Sequence, residues 1–145
     1  MNTRLVLIPL LLIAFLVSPA QARDNKLLLP VEAAMSTPEA QEQLNKGIKF
    51  VFNKNGAKPK QTYGTFTANR KTNAFNKSDE EACNWVFLSA LMALQDRAVN
   101  EGGDAVVDIH SYYKKEEMRS DDKYECHAGA FVAGVALRGT VVKLK

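Results

Sequence analysis

The chain has 145 residues, with 19 Lys and Arg against 16 Asp and Glu, and it is 46% hydrophobic and 24% charged. This length suits one small domain, and the composition is that of an ordinary globular protein, which excludes collagen-like, low-complexity and wholly disordered chains. The formal net charge of +3 is too small to indicate nucleic-acid binding on its own, so no nucleic-acid partner is expected.

The first 22 residues have the pattern of a secretory signal peptide. Arg4 precedes a continuous apolar run over residues 5–17, and the small-x-small triplet Ala-Gln-Ala follows at residues 20–22. The run is too short to span a bilayer comfortably, and no other stretch approaches transmembrane length. We expect cleavage between Ala22 and Arg23, a periplasmic or secreted protein with no transmembrane segment after cleavage, and one domain over residues 23–145. An uncleaved membrane anchor is the alternative.

Short elements are predicted in the first half of the mature chain. The apolar run at residues 27–29 suits an edge strand. Thr37, followed by proline and glutamate, begins a short helix expected over residues 38–45. Alternation at residues 48–52 predicts a strand, and aromatic residues within 62–67 predict a second one. The polar residues 68–77 are expected to form a loop.

A long helix is predicted over residues 78–101. Ser78 and Glu81 form a capping box, the interior contains neither glycine nor proline, and Gly102 supplies the end. Its apolar stripe is expected along Trp85, Leu88, Met92 and Val99 and widened by Val86, Ala90, Ala93 and Leu94.

The last third of the chain predicts strands. Residues 104–113 alternate, with Ala105, Val107 and Ile109 on one face and Asp108 and His110 on the other. The charged residues 114–123 predict a mobile hairpin loop. Residues 124–137, apolar on both faces, predict a central strand covered by the helix. Gly139 is expected to bend the chain before a last strand over residues 140–144.

Together these elements predict an α+β fold. We expect a mainly antiparallel sheet of about four to five strands, covered on one face by the long helix at about 79–101, and a short N-terminal helix in addition.

The two cysteines of the chain, Cys83 and Cys126, are expected to form a disulfide because the protein is expected to be exported. A helix of about 23 residues spans roughly 34 Å, and the strand after it, about ten residues, runs back over roughly 33 Å. Both cysteines are therefore placed at one end of the domain. In the chain-entropy model such a cross-link contributes about 4 kcal/mol.

A resemblance is carried by CNWVFLSALMALQDRAVNEGGDAVVDIHSYYKK and the later segment YECHAGAFVAGVALRG. These residues resemble a family of small exported bacterial proteins whose members are commonly named excinuclease ATPase subunits. The long helix, GGDAVVDI and the Gly/Ala-rich strand are also similar to the YbjQ-like heavy-metal-binding fold and to the Rcs stress-sensor lipoprotein. The resemblance covers about residues 79–145 and implies an α+β domain with a helix-covered sheet.

Two features of those relatives do not carry over. The P-loop string G-x-x-x-x-G-K-S/T does not occur in the sequence, so an ATPase activity has no chemical basis here. The anchoring cysteine of the Rcs sensor is missing as well, so signalling from a lipid-anchored position is not implied.

Four residues are of the types that bind zinc: Cys83, His110, Cys126 and His127. Neighbouring residues of a strand point to opposite faces, so Cys126 and His127 do not easily share one site. We expect the disulfide, with no metal and no other cofactor. A metal-binding envelope protein that uses Cys83, Cys126 and His127, with His110 as a further candidate ligand, is the alternative.

Catalysis has less support in the sequence. A disulfide removes the cysteine nucleophile, and the motifs G-x-S-x-G and C-x-x-C do not occur. Asp108 and His110 can share a strand face, but Ser111 points away from them. We therefore predict a non-enzymatic, disulfide-stapled binding or interaction module whose ligand is unknown, with a hydrolase or redox enzyme as the third reading.

Basic residues are concentrated in residues 46–77, which hold eight Lys and Arg, and no acidic residue lies between Glu42 and Asp79. Such asymmetry can attract an anionic surface, so an anionic lipid or glycan is the candidate partner; the alternative is a solvated face. The candidate anion-binding residues are Lys49, Lys54, Lys58 and Lys60.

Overall fold

The computed structural model describes residues 22–44 and 46–145. The predicted signal peptide lies outside the described residues, apart from Ala22. In chain order the elements are β1 (Asn25–Pro30), α1 (Val31–Met35), α2 (Pro38–Gln43), β2 (Lys49–Phe52), β3 (Gln61–Asn73), α3 (Asp79–Glu101), β4 (Ala105–Ser111), a 3₁₀ turn (Tyr113–Lys115), β5 (Lys123–Ala128) and β6 (Val132–Lys143).

One six-stranded sheet is organised around β6. Along one edge β6 pairs with β3, and its other edge is shared by β5 near its start and β4 near its end. The outer strands are β1, antiparallel to β5, and β2, parallel to β4. The predicted α+β fold with a mainly antiparallel sheet is confirmed. The sheet has six strands rather than four to five.

An unpredicted turn changes the bounds of the last strands. Residues 124–137 were expected to form one strand, but they are divided between β5 and β6, which form a hairpin. In its turn the amide of Gly129 donates to the carbonyl of Val132 at 2.8 Å. The turn was missed because an Ala- and Gly-rich apolar run carries no polar turn signal.

Two further predictions about strands are wrong. Residues 68–73, expected in a loop, extend β3 along the whole of β6, since edge strands accept polar residues on their exposed side. Gly139 does not bend β6. A Cβ there would lie 2.7 Å from Val106 Cγ1, so glycine allows β4 and α3 to approach the strand closely.

Helix α3 packs on one face of the sheet, here called the helix-covered face. Ser78 caps it by accepting from the amide of Glu81 at 3.1 Å, and Gly102 ends it with φ of 80°. The predicted stripe is confirmed in part: Val86, Leu88, Ala90 and Leu94 are buried, whereas Trp85 and Val99 are 45% and 51% exposed. The helix residues in the core against the sheet are Ala82, Cys83, Val86, Phe87, Ala90, Leu91, Leu94 and Ala98.

The disulfide joins this helix to β5. Cys83 and Cys126 are fully buried, their Cα atoms are 5.9 Å apart, and the bridge closes an interval of 43 residues. The pairing predicted from the element lengths is therefore confirmed. Next to it, the ring of Tyr124 stacks on Phe87 with centroids 4.2 Å apart, and burial raises the pKa of the Tyr124 phenol.

A bulge in β4 changes which side chains face α3. Asp108 adopts φ of 52°, and the pairing with β6 shifts between Val107 and His110. Ile109 consequently packs in the helix-covered core, whereas Val107 packs on the other face. The predicted alternation, with Val107 and Ile109 on one face, was wrong because a period of two does not survive an inserted residue.

The N-terminal elements complete the layer beside α3. Thr37 caps α2 by accepting from the amide of Ala40 at 3.2 Å, and this helix ends at Gln43 rather than at residue 45. Among the described residues, no helix is both long and apolar enough to cross a membrane.

Candidate functional site

The predicted metal ligands lie on opposite sides of the sheet. Cys83 and Cys126 are joined on the helix-covered face. His127 and His110 pair with Gly134 and Arg138 of β6, on the face away from α3, here called the distal face. The structure therefore does not bring the four together, and within residues 22–44 and 46–145 no group of three or more His, Cys, Asp or Glu side chains is arranged to hold a metal ion.

The four predicted anion-binding lysines lie away from His127, toward the end of the sheet at which β6 finishes. Lys49 begins β2 beside Ala105, and Lys60 precedes β3, with its amide bonded to the carbonyl of Lys143. All four are exposed, and Lys54 forms an ion pair with Asp121 at 3.0 Å. None of them lines the cleft described below.

A row of charged groups crosses the distal face at the start of β6. Glu125 and His127 both point there because they are two residues apart on β5. His127 Nε2 lies 2.7 Å from Glu125 Oε1, and its Nδ1 lies 3.1 Å from Asp24 Oδ1. Lys26 extends the row, with its ammonium 3.2 Å from the other oxygen of Glu125. Each ring nitrogen of His127 therefore has a carboxylate oxygen within hydrogen-bonding distance.

The ring of Tyr113 covers this row. It stacks on His127 with centroids 3.7 Å apart and an interplanar angle of 10°. The tyrosine belongs to the 3₁₀ turn after β4 and lies over Gly134, where a Cβ would be 3.7 Å from Tyr113 Cε2. Because Gly134 has no side chain, the aromatic ring can lie close to the sheet.

The segment that carries Tyr113 is fixed to the sheet at its base. Ser111 exchanges backbone hydrogen bonds with Met118, at 3.1 and 2.9 Å. The hydroxyl of Ser111 accepts from the amide of Glu125 at 2.8 Å and so bridges the gap where β4 and β5 share the edge of β6. The position of Tyr113 over His127 thus follows from the branching of the sheet.

A cleft of about 370 Å³ opens beside the stacked pair. Its walls come from the first described residues, the β5–β6 turn, the start of β6 and one residue of β3. The lining residues are Ala22, Arg23, Asp24, Lys71, Tyr113, His127, Gly129, Ala130, Phe131, Val132 and Gly134.

Charged and aromatic side chains line the rim of this cleft. Arg23 donates to both carboxylate oxygens of Asp79, at 3.0 and 2.8 Å, and to the carbonyl of Gly129 at 2.9 Å. Phe131 is 66% exposed and stacks on Phe75, with centroids 5.8 Å apart. The cleft therefore joins an apolar wall to a fixed polar floor, the usual composition of a small-molecule site.

A second polar cluster surrounds His110. Its partner on β6, Arg138, is four residues after Gly134, the partner of His127, which is a distance of roughly 13 Å along the strand. His110 is buried; its Nδ1 donates to the carbonyl of Asp108 at 2.7 Å, and Glu117 Oε1 lies 3.5 Å from its Nε2. Arg119 bridges Asp108 and Glu117. A hydrogen bond from Arg119 lowers the pKa of the Glu117 carboxyl. The pKa of the Arg119 guanidinium is raised, mainly by its hydrogen bond to Asp108 and next by that to Glu117. These contacts fasten residues 112–119 to the distal face.

The cleft was not predicted, and His127 was named only as an alternative metal ligand. The pair Glu125 and His127 could have been found, since the sequence E-C-H places two titratable groups on one strand face. Asp24 and Tyr113 reach His127 only through the sheet topology and the 3₁₀ turn. Lys71 was counted in the basic segment but assigned to a loop rather than to β3.

Comparison of the chain with protein-family models, with curated proteins and with solved structures gives no match.

Proposed function

We propose that this chain is an exported, non-enzymatic, disulfide-stapled binding module whose ligand site is the distal-face cleft. The observation that carries the proposal is the floor of the cleft: His127 is held at both ring nitrogens by carboxylates, and one face of its ring is covered by Tyr113. Such a floor is preorganised, and preorganised groups lose little conformational entropy when a ligand binds.

The engagement of the reactive groups favours binding over catalysis. A general base needs a nitrogen free to take a proton, and both nitrogens of His127 already face carboxylate oxygens. The sulfurs of Cys83 and Cys126 are joined. The hydroxyl of Ser111 is buried and accepts a backbone hydrogen bond. Each nucleophile or base weighed in the sequence therefore has a structural partner, and of the two ring nitrogens of His110 only Nε2 lacks a hydrogen bond among the described residues.

Export is supported by the disulfide, since structural disulfides persist mainly in oxidising compartments. It is also supported by the leader-like pattern of residues 1–22. In this proposal cleavage after Ala22 leaves Arg23, which is bonded to Asp79 and Gly129, at the wall of the cleft.

The basic segment offers a second candidate function, attachment to an anionic lipid or glycan surface. The observation that favours it is the exposure of Lys49, Lys58 and Lys60, none of which forms an ion pair with the described residues. Attraction of this kind is collective and sensitive to salt. Replacing these three residues and Lys54 with glutamine should abolish binding to anionic vesicles at low salt and leave the melting temperature nearly unchanged. Binding that is independent of salt contradicts this second candidate.

The cleft is tested by filling it. Protein purified without reduction from the envelope of a producing bacterium is examined by native and intact mass spectrometry, with Gly134→Leu as the variant. Thr67→Leu is the matched control, because Thr67 is exposed on the same face and pairs with Arg138. We expect an N-terminus at Arg23, no free thiol, and a co-purifying small molecule that Gly134→Leu loses and Thr67→Leu retains.

Two results contradict the proposal. Equal retention of the small molecule by both variants places the ligand outside the cleft. A retained leader or two free thiols in exported protein removes the argument for a disulfide-stapled, exported module.

A further inference from the structure

Of the charged side chains that line the cleft, only that of Lys71 has no ion-pair partner among residues 22–44 and 46–145. Cleavage after Ala22 would add the α-amino group of Arg23 as a further positive charge at the same wall. Arg23 is paired with Asp79, and Asp24 with His127. Lys71 lines the same cleft from β3, and none of the ion pairs among residues 22–44 and 46–145 involves it. Lys71 pairs with Gly134 of β6, which has no side chain that could separate the lysine from the cleft. A ligand with one negative charge therefore meets an unpaired ammonium group there.

The walls of the cleft are flat and apolar. Tyr113 lies parallel to His127, and Phe131 lies nearly parallel to Phe75, with an interplanar angle of 15°. Phe131 and its neighbour Val132 are 66% and 49% exposed. Covering an exposed aromatic side chain beside a cavity with the ring of a ligand removes apolar surface from water, which favours binding. Stacked or edge-on contact between the two rings favours it further.

The geometry points to a small planar aromatic monoanion, of the arylcarboxylate class, as the ligand of this cleft. Its carboxylate would be bound by Lys71, and its ring would contact Phe131 and Tyr113. A volume of about 370 Å³ is within the range of small-molecule sites. This inference rests on the proposed function, which places the binding site in the cleft, and adds the chemical class of the ligand.

The test uses naphthoate as the probe and the isotope-labelled mature protein in NMR titrations. We expect shifts confined to the amides around the cleft, those of Gly129, Phe131 and Gly134 among them. Naphthalenemethanol has the same ring without the charge, and it should bind about three- to fivefold more weakly, as expected for an exposed ion pair. Naphthylmethylammonium and the non-planar anion cyclohexanecarboxylate should bind more weakly still.

Two variants with matched controls separate the contributions of charge and ring. Lys71→Gln should weaken naphthoate binding about three- to fivefold without changing the affinity for naphthalenemethanol. Lys145→Gln, at an exposed lysine just after the end of β6 away from the cleft, should change neither. Phe131→Ala should weaken both aromatic probes about tenfold, and Val99→Ala, an exposed apolar position on α3, should not. Phe131 is exposed, so the melting temperature should hold.

The outcomes distinguish the two levels of the argument. Equal binding of the anion and the alcohol at the cleft, unaffected by Lys71→Gln, overturns the arylcarboxylate assignment and leaves the cleft as the site. Shifts that appear around Lys49 to Lys60 instead overturn it too. If no ring-bearing probe shifts the cleft amides, while the co-purifying molecule is still lost in Gly134→Leu, the aromatic class is wrong. If that molecule is also retained, the proposed function fails.

Discussion

The two faces of the sheet are held together by different kinds of contact. The helix-covered face is a continuous apolar core in which α3 and the sheet bury residues such as Phe87, Leu91 and Tyr124, with one disulfide through it. The distal face at the start of β6 is held by a carboxylate–imidazole–carboxylate row under an aromatic ring. Strand β5 serves both, since Cys126 points to one face and His127 to the other.

This contrast separates stability from function. Apolar burial stabilises the helix-covered face without requiring particular partners, so its energy is distributed over many side chains. On the distal face each polar group depends on a named partner, and removing one member leaves the others unsatisfied. The first face should therefore set global stability, and the second should set local order and binding.

The largest effect should come from the disulfide. Cys83→Ala and Cys126→Ala should each lower the free energy of unfolding by about 2–4 kcal/mol, because each removes the same cross-link over 43 residues. The double variant should cost little more than either single one. Urea denaturation measures all three, and reduced wild-type protein is the control. Additive losses would show that the two thiols have separate roles.

A matched pair of glycines on β6 compares the two faces next. Gly139→Ala places a Cβ 2.7 Å from Val106 Cγ1 and 3.1 Å from Ile109 Cγ1, so it should destabilise by about 1–3 kcal/mol. Gly134→Ala meets its nearest atom, Tyr113 Cε2, at 3.7 Å and should be nearly neutral. Thermal unfolding of both variants is the measurement. Equal losses would show that the distal face is packed as tightly as the helix-covered face.

The helix-covered face was the more predictable one, for a physical reason. The capping box, the length of the helix and the Gly102 end are local signals, and together they placed Cys83 opposite Cys126. The direction of the helix's buried stripe was less secure, because α3 has apolar residues on more than one side. Trp85 and Val99 accordingly fell outside the stripe.

The arrangement of the distal face depends on a bulge, a turn and a long-range contact, none of which is visible in the periodic pattern of the sequence. The bulge at Asp108 moves Ile109 across the sheet, and the turn at Gly129 divides one apolar run into two strands. The contact between Asp24 and His127 joins residues 103 apart in the chain. Only the spacing of Glu125 and His127 was visible locally. The site therefore follows from the topology, which periodicity alone did not determine.

The polar row should have a smaller, separable effect. His127→Phe keeps a ring beneath Tyr113 but removes both ring nitrogens, so Glu125, which is buried, retains only Lys26. We expect a loss of about 1–3 kcal/mol in urea denaturation, the cost of a buried group that lacks a partner. The exposed Lys26→Gln change should cost less than about 1 kcal/mol. A neutral His127→Phe variant would mean that water satisfies Glu125 equally well.

The smallest effect should appear where the N-terminal segment meets α3. Asp79 accepts hydrogen bonds from Arg23 and from Asn25. Both lower the pKa of its carboxyl, and the hydrogen bond from Arg23 has the larger effect. Because the folded pKa lies below the unfolded one, the contribution is complete above about pH 4, the unfolded pKa, and is lost as the pH falls through the folded pKa.

Asp79→Asn should therefore cost less than about 1 kcal/mol at neutral pH, and the difference from wild type should shrink on acidification. Urea denaturation over a pH series measures it, and hydrogen exchange at residues 23–25 should increase in the variant. Asp121→Asn is the matched control: it removes a carboxyl whose pKa is lowered by Asn53 and Lys54, away from this segment, so it should leave that exchange unchanged. A difference that grows as the pH falls would contradict the assigned direction, because it would require Asp79 to bind its proton more tightly in the folded chain.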